Sequence, residues 1–222
     1  MPVLTIKTEA VLFDLDGTLL DTAPDLAGAL NRMRKLDGLN ELAFEEIRPW
    51  GSHGSVALLR LGYGLVPEDR EFAQKREQFL AEYRANIAEH SRMFDGVEEI
   101  LNQLEASGRK WGIVTNKPHW LTTPLLEALK LSERAACIVS GDSTAHAKPH
   151  PEPLITAANQ LGISTQDCLY VGDAERDVQA AKAASMPVVI AEYGYIGADE
   201  NPLDWNADGI ISAPEELSAW LP

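Results

Sequence analysis

Cysteine and basic residues are scarce in this sequence of 222 residues, and each shortage excludes a class of protein. Cys137 and Cys168 are the only cysteines, and both have apolar neighbours, so we predict buried free thiols and no disulfide. Lys and Arg number 19 against 34 Asp and Glu, which gives a formal net charge of -15. Nucleic acid and anionic membranes bind clustered basic side chains, so we predict neither as a partner.

Long apolar runs are also lacking. Pieces such as Ala10 to Phe13 fall far below the roughly 20 residues that span a bilayer. Met1 to Glu9 lacks the basic start and apolar core of a secretion signal, so we expect a soluble, cytoplasmic protein. The length suits one large domain, or a medium domain that carries a smaller one.

Six short apolar segments alternate with helix-like stretches. Because these segments are apolar throughout, they favour strands buried on both faces of a parallel sheet. The predicted strands are Ala10 to Leu15, Trp111 to Thr115, Ala136 to Val139, Leu169 to Val171, Val188 to Ala191 and Gly209 to Ile211. The pattern predicts an α/β fold, with a Rossmann-like parallel sheet and helices on both faces.

Residues 22–92 break this rhythm. No strand pattern occurs there, and apolar residues recur at helical spacing. These residues are Leu26, Leu30, Met33, Phe72, Phe79 and Tyr83. We predict an all-helical cap inserted after the first strand, so that residues 1–21 and 93–222 form the catalytic core.

The first helix of this insertion has recognisable start signals. Thr22 is a candidate N-cap, Pro24 falls near the first turn, and Asp25 stands three residues after the cap. If the cap moves, its hinges are expected near Leu19 to Asp21 and Met93 to Gly96.

Two acidic clusters each follow a predicted strand. Asp14 and Asp16 stand beside the Gly17-Thr18 turn, and Asp173 and Asp177 follow a later strand. Each cluster alone has an ordinary alternative, since Asp-Gly-Thr is a common strand-exit turn and acidic residues often cap helices. Parallel sheets bind ligands along their carboxyl edge, so the two clusters together predict a site.

Three donors fall in comparable places. Thr115 and Asn116 follow one strand directly, and Lys148 comes shortly after another. Alone they could be a helix-capping turn and a surface lysine. A hydroxyl, an amide and an ammonium all suit phosphoryl oxygens. In so acidic a protein a phosphate site must be locally positive, which points to a bound cation.

In this order, the motifs resemble those of the haloacid dehalogenase superfamily. Its phosphatase branch carries Asp-x-Asp-Gly-Thr, then Thr or Ser, then Lys, then Gly-Asp-x-x-x-Asp, and all four occur here. Asp16 marks the phosphatases and phosphomutases, because dehalogenases have Tyr at that position and ion-pumping ATPases have Thr. Three features resemble the phosphoglycolate phosphatase group: the helical insertion, the segment Asp-Gly-Thr-Leu-Leu-Asp-Thr and the segment Thr-Asn-Lys-Pro.

The tail is similar to that of bacterial N-acetylmuramic acid 6-phosphate phosphatases, which act in cell-wall recycling. The residues that carry this likeness are Tyr193-Gly194-Tyr195-Ile196, Asn201-Pro202, Trp205 and Ala207-Asp208. The resemblance implies a small phosphorylated metabolite as substrate, either N-acetylmuramic acid 6-phosphate or 2-phosphoglycolate.

The resemblance also implies roles for the acidic residues. Asp14 would be the nucleophile that forms an aspartyl phosphate, and Asp16 the general acid and base. Mg²⁺ would be held by the Asp14 carboxylate, the backbone carbonyl of Asp16 and the Asp173 carboxylate, with Asp177 orienting that shell. Thr115, Asn116 and Lys148 would bind the phosphate.

Selectivity would come from the cap, because the core residues meet only phosphate and metal. The loop Arg48 to Ser55 resembles the glycine-rich cap loop of the family, and Arg48 or His53 could meet a substrate carboxylate. Arg48 could instead pair with Glu45 or Glu46, and His53 could be merely exposed.

Two other functions fit the same motifs. A sugar phosphomutase of the β-phosphoglucomutase type would pass the phosphoryl group to sugar instead of water. A non-catalytic phosphate- or partner-binding protein would keep the fold without turnover, although all the core motif residues are present.

Overall fold

Six parallel strands form one sheet within residues 8–221, the part of the chain that this computed structural model describes. The strands are β1 (Ala10–Phe13), β4 (Lys110–Val114), β5 (Cys137–Val139), β6 (Cys168–Gly172), β7 (Val188–Ala191) and β8 (Gly209–Ile211). Their order is β5-β4-β1-β6-β7-β8. Residues 1–7 and Pro222, which were assigned to the predicted core, lie outside the described residues, as does most of the Met1 to Glu9 segment.

Every predicted strand is present, with ends within two residues of the prediction. The largest difference is at β1, which ends at Phe13 and not at Leu15. The carbonyl of Leu15 accepts hydrogen bonds from the N–H groups of Leu19 and Leu20, at 3.1 and 2.9 Å, so the backbone already turns there.

Helices cover both faces of the sheet, which confirms the predicted fold class. They are α5 (Val97–Ala106), α6 (His119–Ala128), α7 (Glu152–Leu161) and α8 (Glu175–Ala183). Val11 and Phe13 pack with α5 and α6 on one face, whereas Ala10 and Leu12 pack with α7 and α8 on the other. Alternate side chains of a strand point to opposite faces, and burial on both explains the uniformly apolar β1.

Between Thr22 and Ser91 the described chain contains helices and turns but no strand. The helices are α1 (Ala23–Leu36), α2 (Phe44–Ile47), α3 (Gly54–Tyr63) and α4 (Phe72–Ala85), with a 3₁₀ helix at Arg48–His53. We call residues 22–91 the helical insert. It has a hydrophobic cluster of its own, which Leu121 of α6 also joins.

The two segments that connect the insert to the rest of the chain form a pair of strands. β2 (Leu20–Asp21) and β3 (Arg92–Met93) form a short antiparallel ribbon that the sequence did not predict. The division into core and cap, proposed at residues 21/22 and 92/93, falls at this ribbon and stays a prediction. Within residues 8–221, none of the helices has both the length and the apolar character needed to cross a bilayer.

Thr22 is the N-cap residue of α1 and Asp25 lies in the first turn, as predicted, but no side chain caps the helix. Thr22 precedes the helix, but its hydroxyl donates to the Asp16 carboxylate at 2.6 Å instead of capping a helical N–H. The Asp25 carboxylate accepts hydrogen bonds from the backbone N–H groups of His90 and Ser91, each at 2.9 Å. Both side chains therefore connect the insert to distant segments. The prediction for Pro24 holds, since it lies in the first turn.

Both cysteine thiols are buried and unpaired, as predicted. Burial raises the pKa of Cys137 to about 11 and that of Cys168 to about 12. Thiols that remain protonated at neutral pH are poor nucleophiles, so they act as small core side chains.

Candidate active site

Three carboxylates from β1 and the β6–α8 turn converge at the carboxyl edge of the sheet. Oxygen atoms of Asp14, Asp173 and Asp177 lie within 4.8 Å of one another, and all three side chains are buried. The Lys148 ammonium lies among them, 2.9 Å from Asp14 Oδ1 and 2.7 Å from Asp177 Oδ1. β1 and β6 are neighbours in the sheet, which brings residues 14 and 173 together.

This cluster carries more negative charge than Lys148 alone can balance. Burial and the neighbouring carboxylates of Asp14 and Asp177 raise the pKa of Asp173 to about 7. Burial also raises the pKa of Asp14, although the Lys148 ammonium opposes that shift. Asp14 and Asp173 therefore resist joint ionisation. The three buried carboxylates form an oxygen-rich site, and this donor set suits a hard divalent cation.

Lys148 is held by four acceptors. Besides Asp14 and Asp177, its ammonium contacts the Val114 carbonyl at 3.0 Å and the Tyr170 hydroxyl at 2.8 Å. The surface-lysine alternative is therefore excluded, since Lys148 is only 3% exposed. The ammonium offsets the charge of Asp14 and Asp177. Lys148 is absent from the lining of the cavity that Asp14 borders, and its predicted contact with phosphate stays a prediction.

Asn116 lines the cavity, and its side chain is paired with the backbone of Lys148. Its amide nitrogen donates to the carbonyl of Lys148 at 2.8 Å, and its amide oxygen accepts the N–H of Lys148 at 3.0 Å. This reciprocal pair occupies the amide and holds Lys148 in place. The side chain of Asn116 therefore positions Lys148, and the predicted contact of Asn116 with phosphate stays a prediction.

Donors for an anion nevertheless lie at the ends of β1 and β4. Thr115 is buried, and its hydroxyl oxygen accepts the N–H of Lys117 at 3.1 Å, which leaves the hydroxyl hydrogen available. Within residues 8–221 the backbone N–H groups of Asp16 and Asn116 have no hydrogen-bond acceptor. All three residues line the same cavity as Asp14.

The Asp16 carboxylate is held by partners that the sequence analysis missed. The Lys117 ammonium lies 2.9 Å from Asp16 Oδ1, and Thr22 donates to the same oxygen at 2.6 Å. Burial alone would lower the pKa of Lys117, but the interactions with Asp16 and Tyr83 together outweigh burial, and the pKa is raised. Lys117 also lies over the ring of Tyr83 in α4, 4.5 Å from its centroid.

Ser52 brings the helical insert into the acidic cluster. Its hydroxyl lies 2.6 Å from Asp173 Oδ2 and 3.1 Å from the Asp16 carbonyl, so it can donate to either. That carbonyl and Asp173 belong to the predicted metal ligands. Arg176 in turn donates to the Ser52 carbonyl at 2.6 Å. The insert loop therefore contacts the proposed metal-binding oxygens directly.

The prediction that Arg48 faces the substrate is not supported, and neither is the alternative pairing with Glu45 or Glu46. Its guanidinium donates to the carbonyls of Gly194 and Tyr193, at 3.0 and 3.1 Å, and is absent from the cavity lining. His53, by contrast, lines the cavity. Burial lowers the pKa of His53, as does the charge of Arg176.

Tyr193 to Tyr195, part of the tail segment, hold both the site and the insert. The N–H of Tyr195 donates to Asp173 Oδ2 at 2.9 Å, and its hydroxyl donates to Asp21 Oδ1 at 2.7 Å.

Gly17 approaches Asp173 so closely that a Cβ there would lie 2.1 Å from Oδ2, and its φ is +87°. Only glycine fits that position.

A cavity of about 310 Å³ lies over these residues. Asp14, Asp16 and Thr115 line one end, and side chains from the loop 51–56 and from α4 line the other. Asp14 and Asp16 are the only acidic residues in the lining among those the structure describes. Any molecule in the cavity therefore meets these two carboxylates and not Asp173 or Asp177.

Comparison with known proteins places this site in a family. The model for haloacid dehalogenase-like hydrolases matches residues 11–191. This chain belongs to that family. It is 44% identical over 213 residues to a phosphoglycolate phosphatase of Xanthomonas campestris, covering 96% of this chain and 95% of that protein. It is 39% identical over 212 residues to an N-acetylmuramic acid 6-phosphate phosphatase of Pseudomonas aeruginosa, covering 96% of this chain and 94% of that protein.

The fold of this haloacid dehalogenase-like hydrolase also matches solved structures. A predicted phosphoglycolate phosphatase from Haemophilus somnus superposes with a TM-score of 0.84 and 28% identity, over 96% of this chain and 97% of that one. The predicted superfamily and its phosphatase branch are therefore confirmed.

Signals for several of the missed residues were present in the motifs of this hydrolase. Lys117 belongs to Thr-Asn-Lys-Pro, Ser52 to the glycine-rich loop, and Arg176 lies within Gly-Asp-x-x-x-Asp. Each is a polar side chain in a segment already assigned to the site. What the sequence lacked was the distance information that links them to Asp16 and Asp173.

Proposed function

We propose that this chain is a magnesium-dependent phosphomonoesterase that forms an aspartyl phosphate on Asp14, with N-acetylmuramic acid 6-phosphate as its substrate. One observation supports this reaction. Asp14 is the carboxylate that both belongs to the buried acidic cluster and lines the cavity, with the Lys148 ammonium 2.9 Å away.

In the first half-reaction a carboxylate oxygen of Asp14 attacks phosphorus, and the bond from phosphorus to the sugar oxygen breaks. Repulsion between carboxylate and phosphate costs about 4 kcal/mol per unit pair at about 4 Å. Lys148 offsets part of this cost. The Thr115 hydroxyl and the N–H groups of Asp16 and Asn116 bind the phosphoryl oxygens.

Asp16 carries the proton in both half-reactions. It protonates the departing sugar oxygen, then takes a proton from the water that attacks the aspartyl phosphate and releases inorganic phosphate. To reach the leaving oxygen, its carboxylate must exchange the hydrogen bonds from Lys117 and Thr22 for the substrate. Because Thr22 begins the insert, this exchange links proton transfer to insert position.

Mg²⁺ fits the acidic cluster, and its ligands would be the carboxylates of Asp14 and Asp173 and the carbonyl of Asp16. When bound, it supplies positive charge against the phosphoryl oxygens. Ser52 and the N–H of Tyr195 orient Asp173 by their hydrogen bonds to Oδ2. Asp177 holds Lys148 and so keeps the ammonium beside Asp14.

Cavity size supports the sugar phosphate. At about 310 Å³, the cavity lies at the lower end of the roughly 300–1,000 Å³ that small-molecule sites occupy. The phosphate needs only the end near Asp14, and glycolate would leave most of the remainder empty. The second candidate is 2-phosphoglycolate, which is favoured by the name of the Xanthomonas campestris relative.

A phosphate-release panel tests the substrate. We expect kcat/KM for N-acetylmuramic acid 6-phosphate to exceed that for 2-phosphoglycolate at least about 100-fold, a difference of roughly 2.7 kcal/mol in transition-state binding. The reverse order would establish the second candidate. Interconversion of two sugar phosphates without phosphate release would support the phosphomutase. Tight binding without any turnover in Mg²⁺ would support the non-catalytic alternative.

Magnesium binding should weaken at acid pH. Asp173 in the metal-free protein has a pKa of about 7, so below that pH the cation must displace a proton. We expect the apparent affinity to fall about tenfold per pH unit below pH 7. The change in melting temperature on adding Mg²⁺ should therefore be larger at pH 8 than at pH 5.5.

The stability of the metal-free protein should depend on pH in the opposite direction. The folded pKa of Asp173, about 7, lies above an unfolded value of about 3.9, so its contribution to stability falls as pH rises between these values. Asp173→Asn is the control and should remove both pH effects. A Mg²⁺ response that is equal at both pH values in the unsubstituted protein would contradict this prediction.

A further inference from the structure

One face of α4 forms a wall of the cavity. The residues on it are Arg76, Phe79, Leu80 and Tyr83, and all four line the cavity. Their spacing of three, four and seven residues places them on one side of a helix. The wall has an arginine at one end, two apolar side chains in the middle and a tyrosine at the other end.

The Tyr83 end lies beside the catalytic residues. Its ring lies under the Lys117 ammonium, which in turn contacts Asp16. The side chain is 1% exposed. Within residues 8–221 the Lys117 ammonium interacts with the hydroxyl, but no group forms a hydrogen bond of ordinary geometry with it. A buried hydroxyl that lacks a well-formed hydrogen bond is unfavourable. A ligand hydroxyl or ether oxygen in the cavity would supply the missing hydrogen bond.

The Arg76 end is the distal end of the wall. Seven residues of helix separate it from Tyr83, a rise of about 10 Å. Its Nε donates to Ser55 Oγ at 3.0 Å, which holds the guanidinium at the cavity. Within residues 8–221 its two terminal nitrogens have no hydrogen bond and no ion pair.

Three other arginines of the insert have partners away from the cavity. Arg32 lies 3.4 Å from Glu82, Arg34 donates to backbone carbonyls, and Arg48 binds the tail. Arg76 is thus an arginine left facing the cavity of a protein whose net charge is -15. Its planar fork is suited to a carboxylate.

We propose that Arg76, oriented by Ser55, is a specificity-determining residue that binds a carboxylate on the leaving group. Tyr83 hydrogen-bonds the same leaving group nearer the phosphate, and Phe79 and Leu80 pack against its apolar face. The substrate is then a hexose-sized phosphomonoester with a carboxylate far from its phosphate. This inference rests on the proposed phosphomonoesterase function. In 2-phosphoglycolate the two anionic groups are too close together to span the wall.

A matched pair of substrates tests the role of Arg76. N-acetylglucosamine 6-phosphate has the same sugar as N-acetylmuramic acid 6-phosphate but lacks the lactyl carboxylate. We expect Arg76→Met to lower kcat/KM about 10- to 100-fold for the muramic substrate, mainly through KM, and to change the other less than about threefold. Arg84→Met is the control, because Arg84 is on the same helix but stacks on Trp120 outside the cavity.

Tyr83→Phe gives an independent measurement on the same wall. It should lower kcat/KM about 5- to 20-fold for both sugar phosphates, since both carry the ring oxygens near the phosphate. Its melting temperature should change little, because phenylalanine keeps the buried ring and its contact with the Lys117 ammonium. Unchanged kcat/KM in Tyr83→Phe would overturn the part of the proposal that concerns the hydroxyl.

Equal losses on both substrates in Arg76→Met would show a structural role and overturn the proposal. So would equal kcat/KM for the two substrates in the unsubstituted enzyme, even with phosphatase activity intact. If no phosphomonoester is hydrolysed, the proposed function itself fails. Calorimetry with Asp14→Asn then decides: at least tenfold tighter binding of the muramic compound supports the carboxylate site, and equal binding overturns it.

Discussion

Asp14→Asn should lower phosphate release at least about 10⁴-fold, because an amide cannot replace the attacking carboxylate. The fold should persist. Asparagine is nearly the same size, and its oxygen can still accept the hydrogen bond that Leu15 N–H donates to Asp14 Oδ1 at 2.8 Å. Removing one buried negative charge should also leave the metal-free protein at least as stable as before. Steady-state phosphate release and thermal melting measure the two effects.

Two variants give this prediction its controls. Asp199→Asn removes an exposed carboxylate away from the cavity and should leave turnover unchanged. Asp16→Asn should slow both the formation and the hydrolysis of the aspartyl phosphate in a rapid-quench experiment, because Asp16 carries the proton in both half-reactions. Turnover above a tenth of normal in Asp14→Asn would rule out Asp14 as the nucleophile.

Lys148→Met should have the largest effect on stability. Its ammonium contacts both Asp14 and Asp177 in a fully buried position, and breaking a buried ion pair from one side costs about 3–5 kcal/mol. In a chain of this length that corresponds to roughly 6–20 °C in melting temperature. Phosphate release should fall by about 10³-fold or more, since the anion loses a charge-assisted partner. Urea unfolding in metal-free buffer measures the first effect.

An exposed lysine supplies the comparison. Lys182 forms a surface ion pair with Asp208 at 2.6 Å, so Lys182→Met should cost less than about 1 kcal/mol. Combining Lys148→Met with Asp177→Asn should restore part of the lost stability, because the uncompensated buried charge is removed, but should not restore activity. A loss in Lys148→Met no larger than that in Lys182→Met would show that the buried contacts do not matter for stability.

Sequence alone determined the sheet and most of the catalytic edge. Each strand is a short apolar run, and that pattern depends only on neighbouring residues, as at Val188–Ala191, where prediction and structure agree at both ends. The ends of parallel strands meet at one edge by topology, so Asp14, Thr115 and Asp173 could be placed together before any distance was known. Those residues do lie at that edge.

The tertiary structure decided which polar atoms meet. The Asn116 side chain holds Lys148, Arg48 binds the tail and Arg76 faces the cavity, and none of these three contacts was predicted. Ser52 lies 121 residues from Asp173 in the chain yet its hydroxyl contacts that carboxylate. A side chain's partners depend on how separate segments pack and on which buried acceptors still lack a donor.

The fold, the proposed nucleophile and the proposed metal ligands could therefore be predicted from local pattern and motif order. Local pattern could not predict the partners of Asp16, the positioning of Lys148 or the leaving-group wall on α4. They arise where the helical insert packs on the core, through contacts such as that of Lys117 with Tyr83. Long-range packing geometry selects these pairs, and local sequence patterns carry no information about it.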